Sequence, residues 1–257
     1  MSGDRVVFFG DAMAAVVQGV HEVRRLLNQP PVVIGGLAVL ARLSKSYRAT
    51  VDLDLVDRLV GVPQLQVLRA ATGAVAVEPA AVMLPTTFGP VTVDVLEVRQ
   101  VELDQPSDDP GDRLHATAHA WASDTAGEMT IEVERTSGQR IEVVTPVAEP
   151  GPLVAMKLQS VMNREALKQG TDLLDIVRLT LDPVAGRIAL SQIRAVADHV
   201  AYDVAAHVDL WFISAQERSL RWIRNTGNVD VTVDDLELVA ELLLSAAARP
   251  AAGSGAT

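Results

Sequence analysis

The amino-acid sequence predicts an α/β (α+β) fold in two parts, a mixed half over residues 1–150 and an all-helical half over residues 151–248. Three observations predict it. Before residue 150, short β-branched runs alternate with stretches of helical periodicity. Pro146, Pro150 and Pro152 then cluster, and every pattern beyond them has the helical period. Hydrophobic residues make up 49% of the 257 and charged residues 21%, which supplies a large core and argues against general disorder.

Taken in order, Val6 to Phe9 is an apolar stretch flanked by Asp4 and Asp11, with no basic region before it, so it does not read as a secretion signal. Asp11 to Asn28 carries apolar residues at helical spacing, with Asp11 placed to cap the start and Pro30-Pro31 ending it. Val32-Val33-Ile34 reads as a short buried strand, Gly35-Gly36 as a turn and Leu37 to Leu43 as a helix. Arg48 to Val56 reads as a strand, Pro63 to Ala71 as a helix, Val75 to Leu84 as extended chain and Val91 to Val98 as a strand. Asp104 to Asp112, acidic and proline-bearing, reads as a loop. Met129 to Arg135 and Arg140 to Val144 flank Ser137-Gly138 as a hairpin. From Leu153 to about Ala248 only helices are expected, and residues 249–257 form a disordered tail rich in Ala, Gly and Ser.

Composition excludes several classes of function. The chain has no cysteine, which removes disulfide scaffolds, thiol catalysis, iron–sulfur clusters and cysteine-ligated zinc. The longest apolar run, Pro30 to Ala41, is too short to span a bilayer and contains two glycines, so a cytoplasmic protein with no membrane partner is expected. A formal charge of −11 argues against indiscriminate nucleic-acid binding. The deficit is concentrated in residues 1–150, with 12 basic and 20 acidic side chains against 10 and 13 in residues 151–257.

The most informative segment is Arg48-Ala49-Thr50-Val51-Asp52-Leu53-Asp54-Leu55-Val56. Strand alternation places Arg48, Thr50, Asp52 and Asp54 on one side and the apolar residues on the other. Two carboxylates roughly 6.5 to 7 Å apart repel unless a cation lies between them. A hard divalent ion, Mg²⁺ or Mn²⁺, with waters and substrate phosphates completing its shell, is the natural occupant; the competing reading is a solvated strand face. Asp94, alone among the apolar residues of Thr92-Val93-Asp94-Val95-Leu96, adds a third carboxylate if the two strands are neighbours, since strands about 4.8 Å apart suit ions roughly 3.5 to 4 Å apart. Otherwise Asp94 is a salt-bridge residue, paired with Arg48 or Arg99. Gly35-Gly36, between strand and helix, offers phosphate oxygens close approach to backbone N–H groups at a positive helix end.

Val33-Ile34-Gly35-Gly36-Leu37-Ala38 followed by Arg48-x-Thr50-x-Asp52-x-Asp54 resembles the opening motif of nucleotidyltransferases with a DNA polymerase β-like palm, and is most similar to the AbiEii/MenT type of toxin–antitoxin toxins. The similarity continues in Leu153-Val154-Ala155-Met156-Lys157-Leu158, then Arg164, Lys168 and Thr171-Asp172-Leu173-Leu174-Asp175-Ile176. It implies a palm sheet with flanking helices and a helical domain that closes the nucleotide cleft. It also implies a metal-dependent enzyme that transfers a nucleoside monophosphate from a nucleoside triphosphate to an RNA acceptor, in this family the tRNA 3′ end, blocking translation, with a cognate antitoxin as partner. On that reading Asp52, Asp54 and Asp94 hold the metal or activate the acceptor hydroxyl, Gly35, Gly36, Arg48 and Thr50 position phosphates, and Lys157, Arg164 and Lys168 meet the leaving pyrophosphate.

The residues themselves give that second motif a parallel reading. At about 100° per residue, Lys157, Arg164 and Lys168 fall within roughly 20° of one line on a helix, as a phosphate-binding stripe or a solvated face. Gly170-Thr171 reads as a helix break, with Asp172 in the restarted first turn as a dipole residue and Asp175 as the better functional candidate. A phosphate on Thr50 would compete with the triphosphate, which makes that hydroxyl a candidate switch. His115 and His119 lie at i,i+4 but lack the glutamate of zinc proteases. Arg218, Arg221 and Arg224 beside Trp222 form either an amphipathic surface helix or an RNA-facing platform. Two rival functions remain: nucleotide transfer to a small cationic molecule of the aminoglycoside type, which an acidic surface suits, and a non-catalytic nucleotide- or antitoxin-binding module.

Overall fold

The computed structural model describes residues 4–227 and 229–249, and shows a mixed α/β chain that divides into two units, residues 1–107 with 116–153 and residues 108–115 with 154–257. The expected tail lies outside the described residues except for Arg249, which donates from Nε to Asp198 Oδ1 at 2.7 Å. Among the described residues no helix is long and apolar enough to cross a membrane.

The first unit is built on an eight-stranded mixed sheet in the order β1-β7-β8-β2-β3-β6-β5-β4. Its strands are β1 (Asp4–Phe9), β2 (Val32–Ile34), β3 (Asp52–Asp57), β4 (Val75–Glu78), β5 (Ala81–Leu84), β6 (Val91–Glu97), β7 (Gly127–Glu134) and β8 (Arg140–Val147). Val33, Ile34, Leu53, Leu55, Val93 and Val95 are buried in the centre of the sheet, where β-branched and leucine side chains suit a pleated, covered surface. Two features differ from expectation for the same physical reason. Asp4–Phe9 is a strand because it pairs in parallel with β7, Asp4 opposite Met129, and a six-residue run cannot show its partner in sequence. β3 begins at Asp52 rather than Arg48, because its ladders to β2 and β6 begin there; Ala49 and Val51, expected on a buried face, are exposed.

Helices α1 (Ala14–Leu27), α2 (Gly35–Arg42), α3 (Gln64–Arg69) and α4 (Gln100–Asp104) belong to this unit. Asp11 does not cap α1: its carboxylate accepts from Arg135 Nε at 2.6 Å and from the Thr136 hydroxyl. Gly35 and Gly36 are the first turn of α2 rather than a turn preceding it. The other end of α2 is tied down by Arg42, which donates to the carbonyls of Val147 at 2.7 Å and Ala148 at 3.0 Å.

The segment expected as a loop ends in a helix, α5 (Pro110–Thr125). Its start signal is present in the sequence: Asp109 Oδ1 accepts from the N–H groups of Gly111 at 2.8 Å and Asp112 at 3.0 Å, and proline occupies the first helical position, where it needs no donor. The remaining described elements are all helical: α6 (Pro150–Ser160), a 3₁₀ turn (Val161–Asn163), α7 (Ala166–Leu181), α8 (Ala185–Ala195), α9 (Asp198–Val208), a π-helical segment (Asp209–Ser214), α10 (Gln216–Arg224) and α11 (Val233–Ala247). α11 opens with a reciprocal cap, Thr232 Oγ1 accepting from Asp235 N–H at 3.2 Å while the Asp235 carboxylate accepts from Thr232 N–H at 2.8 Å.

Candidate active site

In the first unit, β3 and β6 run parallel in register, so Asp52 lies opposite Thr92 and Asp54 opposite Asp94. Directly paired residues of adjacent strands point to the same face, and Asp52, Asp54 and Asp94 therefore share one side of the sheet. All three are half-buried, while Leu53, Leu55, Val93 and Val95 are fully buried on the opposite side. Among the described residues the Asp52 carboxylate forms neither an ion pair nor a hydrogen bond.

The β2–α2 junction closes over this face. Ile34 pairs with Asp54 across the β2–β3 ladder, and the chain turns into α2 at Gly35 with φ +63°. A Cβ at Gly35 would meet Asp54 Oδ2 at 2.0 Å, so both the left-handed backbone and the close approach require glycine. Gly36 N–H donates to Asp54 Oδ2 at 3.3 Å. The first-turn donor expected for a substrate phosphate is thus directed at Asp54, whose negative charge the positive end of α2 favours.

Arg48 and Thr50 reach the same corner, though not from the strand. The chain from Ser44 to Val51 curls back toward Gly36, where a Cβ would lie 2.9 Å from Thr50 Oγ1 and 3.4 Å from Arg48 Nη2. Thr50 is buried and its hydroxyl donates to the Asp52 carbonyl at 3.3 Å. Arg48 donates from Nε to the Tyr47 hydroxyl at 3.3 Å. Tyr47 was not singled out from sequence, and only the curl of this loop brings it to the site.

The donor chemistry fits a hard cation held in part by the protein. Among the described residues no three His, Cys, Asp or Glu side chains are gathered into a metal cage, so the three carboxylates share a face without enclosing an ion. Mg²⁺ suits such a surface, since it keeps several positions for water and substrate phosphate.

In the second unit, Lys157 of α6 is buried between two acids of α7, Nζ lying 2.5 Å from Asp172 Oδ1 and 2.9 Å from Asp175 Oδ2. Ser160 Oγ donates to Asp172 Oδ2 at 2.8 Å, and Arg164 Nε lies 3.4 Å from the same oxygen. Burial alone would lower the lysine's pKa; the Asp172 and Asp175 carboxylates more than offset it and hold the ammonium above its ordinary range.

This geometry corrects three expectations. Lys157, Arg164 and Lys168 do not form one helical stripe, because α6 ends at Ser160 and α7 begins at Ala166; Lys157 is buried while Arg164 and Lys168 are exposed. The helix does not break at Gly170-Thr171: α7 runs through both, and Thr171 Oγ1 donates back to the Leu167 carbonyl at 3.2 Å. Gly170 is there for packing, since a Cβ would lie 2.2 Å from the Trp222 carbonyl oxygen. Asp172 is no exposed dipole residue, and it shares Lys157 with Asp175.

No protein-family model matches the chain, and no curated protein matches it. Among solved structures it is similar to one described as an antigenic nucleotidyltransferase-like protein from Paracoccidioides brasiliensis, at 19% identity and a TM-score of 0.43 over 83% of this chain and 94% of that one. A likeness so distant bears on neither activity nor substrate, and the chemistry rests on the residues themselves.

The remaining candidates separate. His119 is buried, and His115 Nδ1 lies 3.3 Å from Gln159 Oε1, so neither joins a metal cluster among the described residues. Arg218, Arg221 and Arg224 lie on the exposed side of α10, and Trp222 is half-buried. Ser160, absent from the sequence candidates, completes the Lys157 cluster; its signal is one helical turn, three residues after the lysine.

Proposed function

We propose that the protein is a metal-dependent nucleotidyltransferase that joins a nucleoside monophosphate from a nucleoside triphosphate to an RNA acceptor, the tRNA 3′ end, and acts as the toxin of a toxin–antitoxin pair. The observation that carries the chemical part is the in-register set of Asp52, Asp54 and Asp94 on one sheet face beneath the Gly35-Gly36 turn. The acceptor, the toxin role and the antitoxin rest on the sequence resemblance. Asp52 and Asp54 are the ligands for Mg²⁺ or Mn²⁺, which when bound offsets triphosphate charge and polarises the reacting phosphorus.

Asp94 accepts the proton of the acceptor hydroxyl as that oxygen bonds to the α-phosphorus and the bond to the β-phosphate oxygen breaks, releasing pyrophosphate. Arg48 supplies a guanidinium to the phosphates from beside Gly36. Lys157, already neutralised by two carboxylates, serves chiefly to hold Asp172 and with it Arg164. Arg164 and Lys168 are exposed, and their role at the leaving pyrophosphate rests on the sequence resemblance.

The test supplies nucleoside triphosphates labelled at the α-phosphate, with Mg²⁺ or Mn²⁺, to tRNA or to an aminoglycoside. Label on tRNA, lost with a chelator and in Asp54→Ala, is the expected result. Transfer retained by Asp54→Ala overturns the carboxylate assignment. Label on the aminoglycoside alone favours the small-molecule reading, which the acid excess of residues 1–150, 20 against 12, supports.

A further inference from the structure

Three arginines of α10 gather on one exposed side of the helix. Arg218, Arg221 and Arg224 recur every third residue, so at about 100° per residue they span an arc of roughly 120° and advance about 4.5 Å per step along the axis. All three are exposed, and among the described residues none makes an ion pair. Other exposed arginines, Arg187 and Arg194 among them, also lack ion pairs among the described residues; α10 differs in carrying three on one face beside an indole.

The face is also rigidly backed. Arg218 lies over two indoles, 5.0 Å from the Trp222 ring centre and 5.6 Å from that of Trp211. The π-helical segment before α10 sets Trp211 in place: Ala215 N–H donates to the Leu210 carbonyl at 2.9 Å, and the bypassed Trp211 carbonyl accepts instead from buried Ser219 at 2.7 Å. Trp211 Nε1 donates to the Leu158 carbonyl at 3.1 Å, beside Lys157, and the Trp222 backbone rests on Gly170, two residues before Asp172. Beside the arginines runs a groove of about 330 Å³, lined by Glu217, Arg221, Arg224 and Asn225 among others.

From this we infer that the α10 face binds the sugar-phosphate backbone of the RNA acceptor, Arg221 and Arg224 contacting phosphates along the groove and the Arg218–Trp222 stack meeting an unpaired base. The inference rests on the proposed RNA-directed transfer and adds a docking surface outside the carboxylate site. Exposed cations without acidic partners suit phosphate, because no internal ion pair must break on binding, and an arginine stacked on an indole offers both charge and a flat surface. The Lys157 cluster lies on helices of the same unit, joined to the α10 face through the Trp211 and Gly170 contacts.

The experiment measures fluorescence anisotropy of a labelled hairpin RNA with a single-stranded 3′ tail, with the full chain and with Arg221→Glu/Arg224→Glu, whose melting temperature checks the fold. The double variant is expected to bind at least tenfold more weakly, with a log affinity against log salt slope shallower by about 1.4 for two lost single-strand phosphate contacts. Its affinity for nucleoside triphosphate stays unchanged. RNA affinity within twofold of wild type with the same slope overturns the proposal, as does wild-type protein that fails to bind the hairpin at low salt. Polyglutamate displacing the hairpin as well as unlabelled RNA does also overturns it, and assigns the face to an acidic protein. Loss of RNA binding in the variant, when wild type transfers no nucleotide, leaves the docking face standing and removes the transfer reading. Transfer by wild type with an unchanged KM for RNA in the variant does the reverse.

Discussion

The two charged clusters of the molecule are built on opposite principles. On the β3–β6 face, three carboxylates stand half-buried on one side of the sheet; Gly36 N–H and the positive end of α2 support Asp54, while among the described residues the Asp52 carboxylate has neither ion pair nor hydrogen bond. In the α6–α7 cluster, two carboxylates are fully buried, and a lysine, a serine and an arginine satisfy them. Buried ions persist where geometry satisfies them and contribute little beyond what they cost, whereas gathered like charges at a surface cost stability unless something binds there. The difference lies in commitment: the Asp52 side chain makes no ion pair or hydrogen bond among the described residues, whereas Lys157 is already paired with two carboxylates, which moves it from a phosphate clamp toward a structural and positioning role.

The sharpest test of that contrast is to remove one charge from each cluster. Asp52→Ala or Asp54→Ala should lower transfer by about a thousandfold or more, on the order of 4 kcal/mol of transition-state stabilisation. For Asp52→Ala thermal melting should show an unchanged or raised midpoint, because carboxylate repulsion is relieved, whereas Asp54→Ala also gives up the Gly36 N–H bond and the favourable end of α2. An active variant at either position, or an unfolded Asp52→Ala, breaks the comparison from the sheet side.

Lys157→Ala should instead cost about 3–5 kcal/mol of stability, since it leaves Asp172 and Asp175 buried without their cation, and denaturant unfolding measures it. The sign with pH follows from a lysine pKa raised above its ordinary 10.5. Its stabilisation is complete below that value and lost only as pH climbs through the higher folded value, so the ¹³Cε resonance of Lys157 should show no titration midpoint below about 10.5. A midpoint near 9 or an undiminished stability in Lys157→Ala would return the residue to a ligand-binding role.

Gly170→Ala probes the support of the second cluster without touching its charges. A Cβ 2.2 Å from the Trp222 carbonyl must push α7 from α10, at about 1–3 kcal/mol by overpacking, read as a lowered melting point with nucleotide affinity retained. The smallest effect is expected at Thr50. Thr50→Val loses one 3.3 Å hydrogen bond, about 1 kcal/mol, and keeps activity within a few-fold, whereas Thr50→Glu places a further negative charge beside Asp52 and should reduce transfer about tenfold. Equal activities for valine and glutamate at this position remove Thr50 as a switch.

Much of the carboxylate face was legible because strand alternation is local: Asp52 and Asp54 share a side by sequence spacing alone, and Gly35-Gly36 between an apolar run and a helical run marks a tight junction. That Asp94 stands opposite Asp54 required the parallel β3–β6 pairing, a contact between distant segments that no local pattern encodes. Periodicity misplaced Arg48 and Thr50 for a related reason: alternation continues through Ala49 and Val51 in the sequence, but a strand lasts only as long as its partner, and here β6 and β2 offer none before Asp52.

The sequence by itself therefore determined the sequence-local features: the helical texture after Pro150, the acidic pair on one strand face, and the Asp-x-x-Asp spacing that puts Asp172 and Asp175 on one side of α7. Only the tertiary structure decided what these charges meet. Lys157 falls between the two acids because α6 stops at Ser160 and the chain reverses into α7, and Gly170 serves helix packing because the Trp222 backbone arrives there. Spacing along an element is set by backbone geometry, which every residue carries locally, while ion pairing and close approach depend on which surfaces hydrophobic burial brings together.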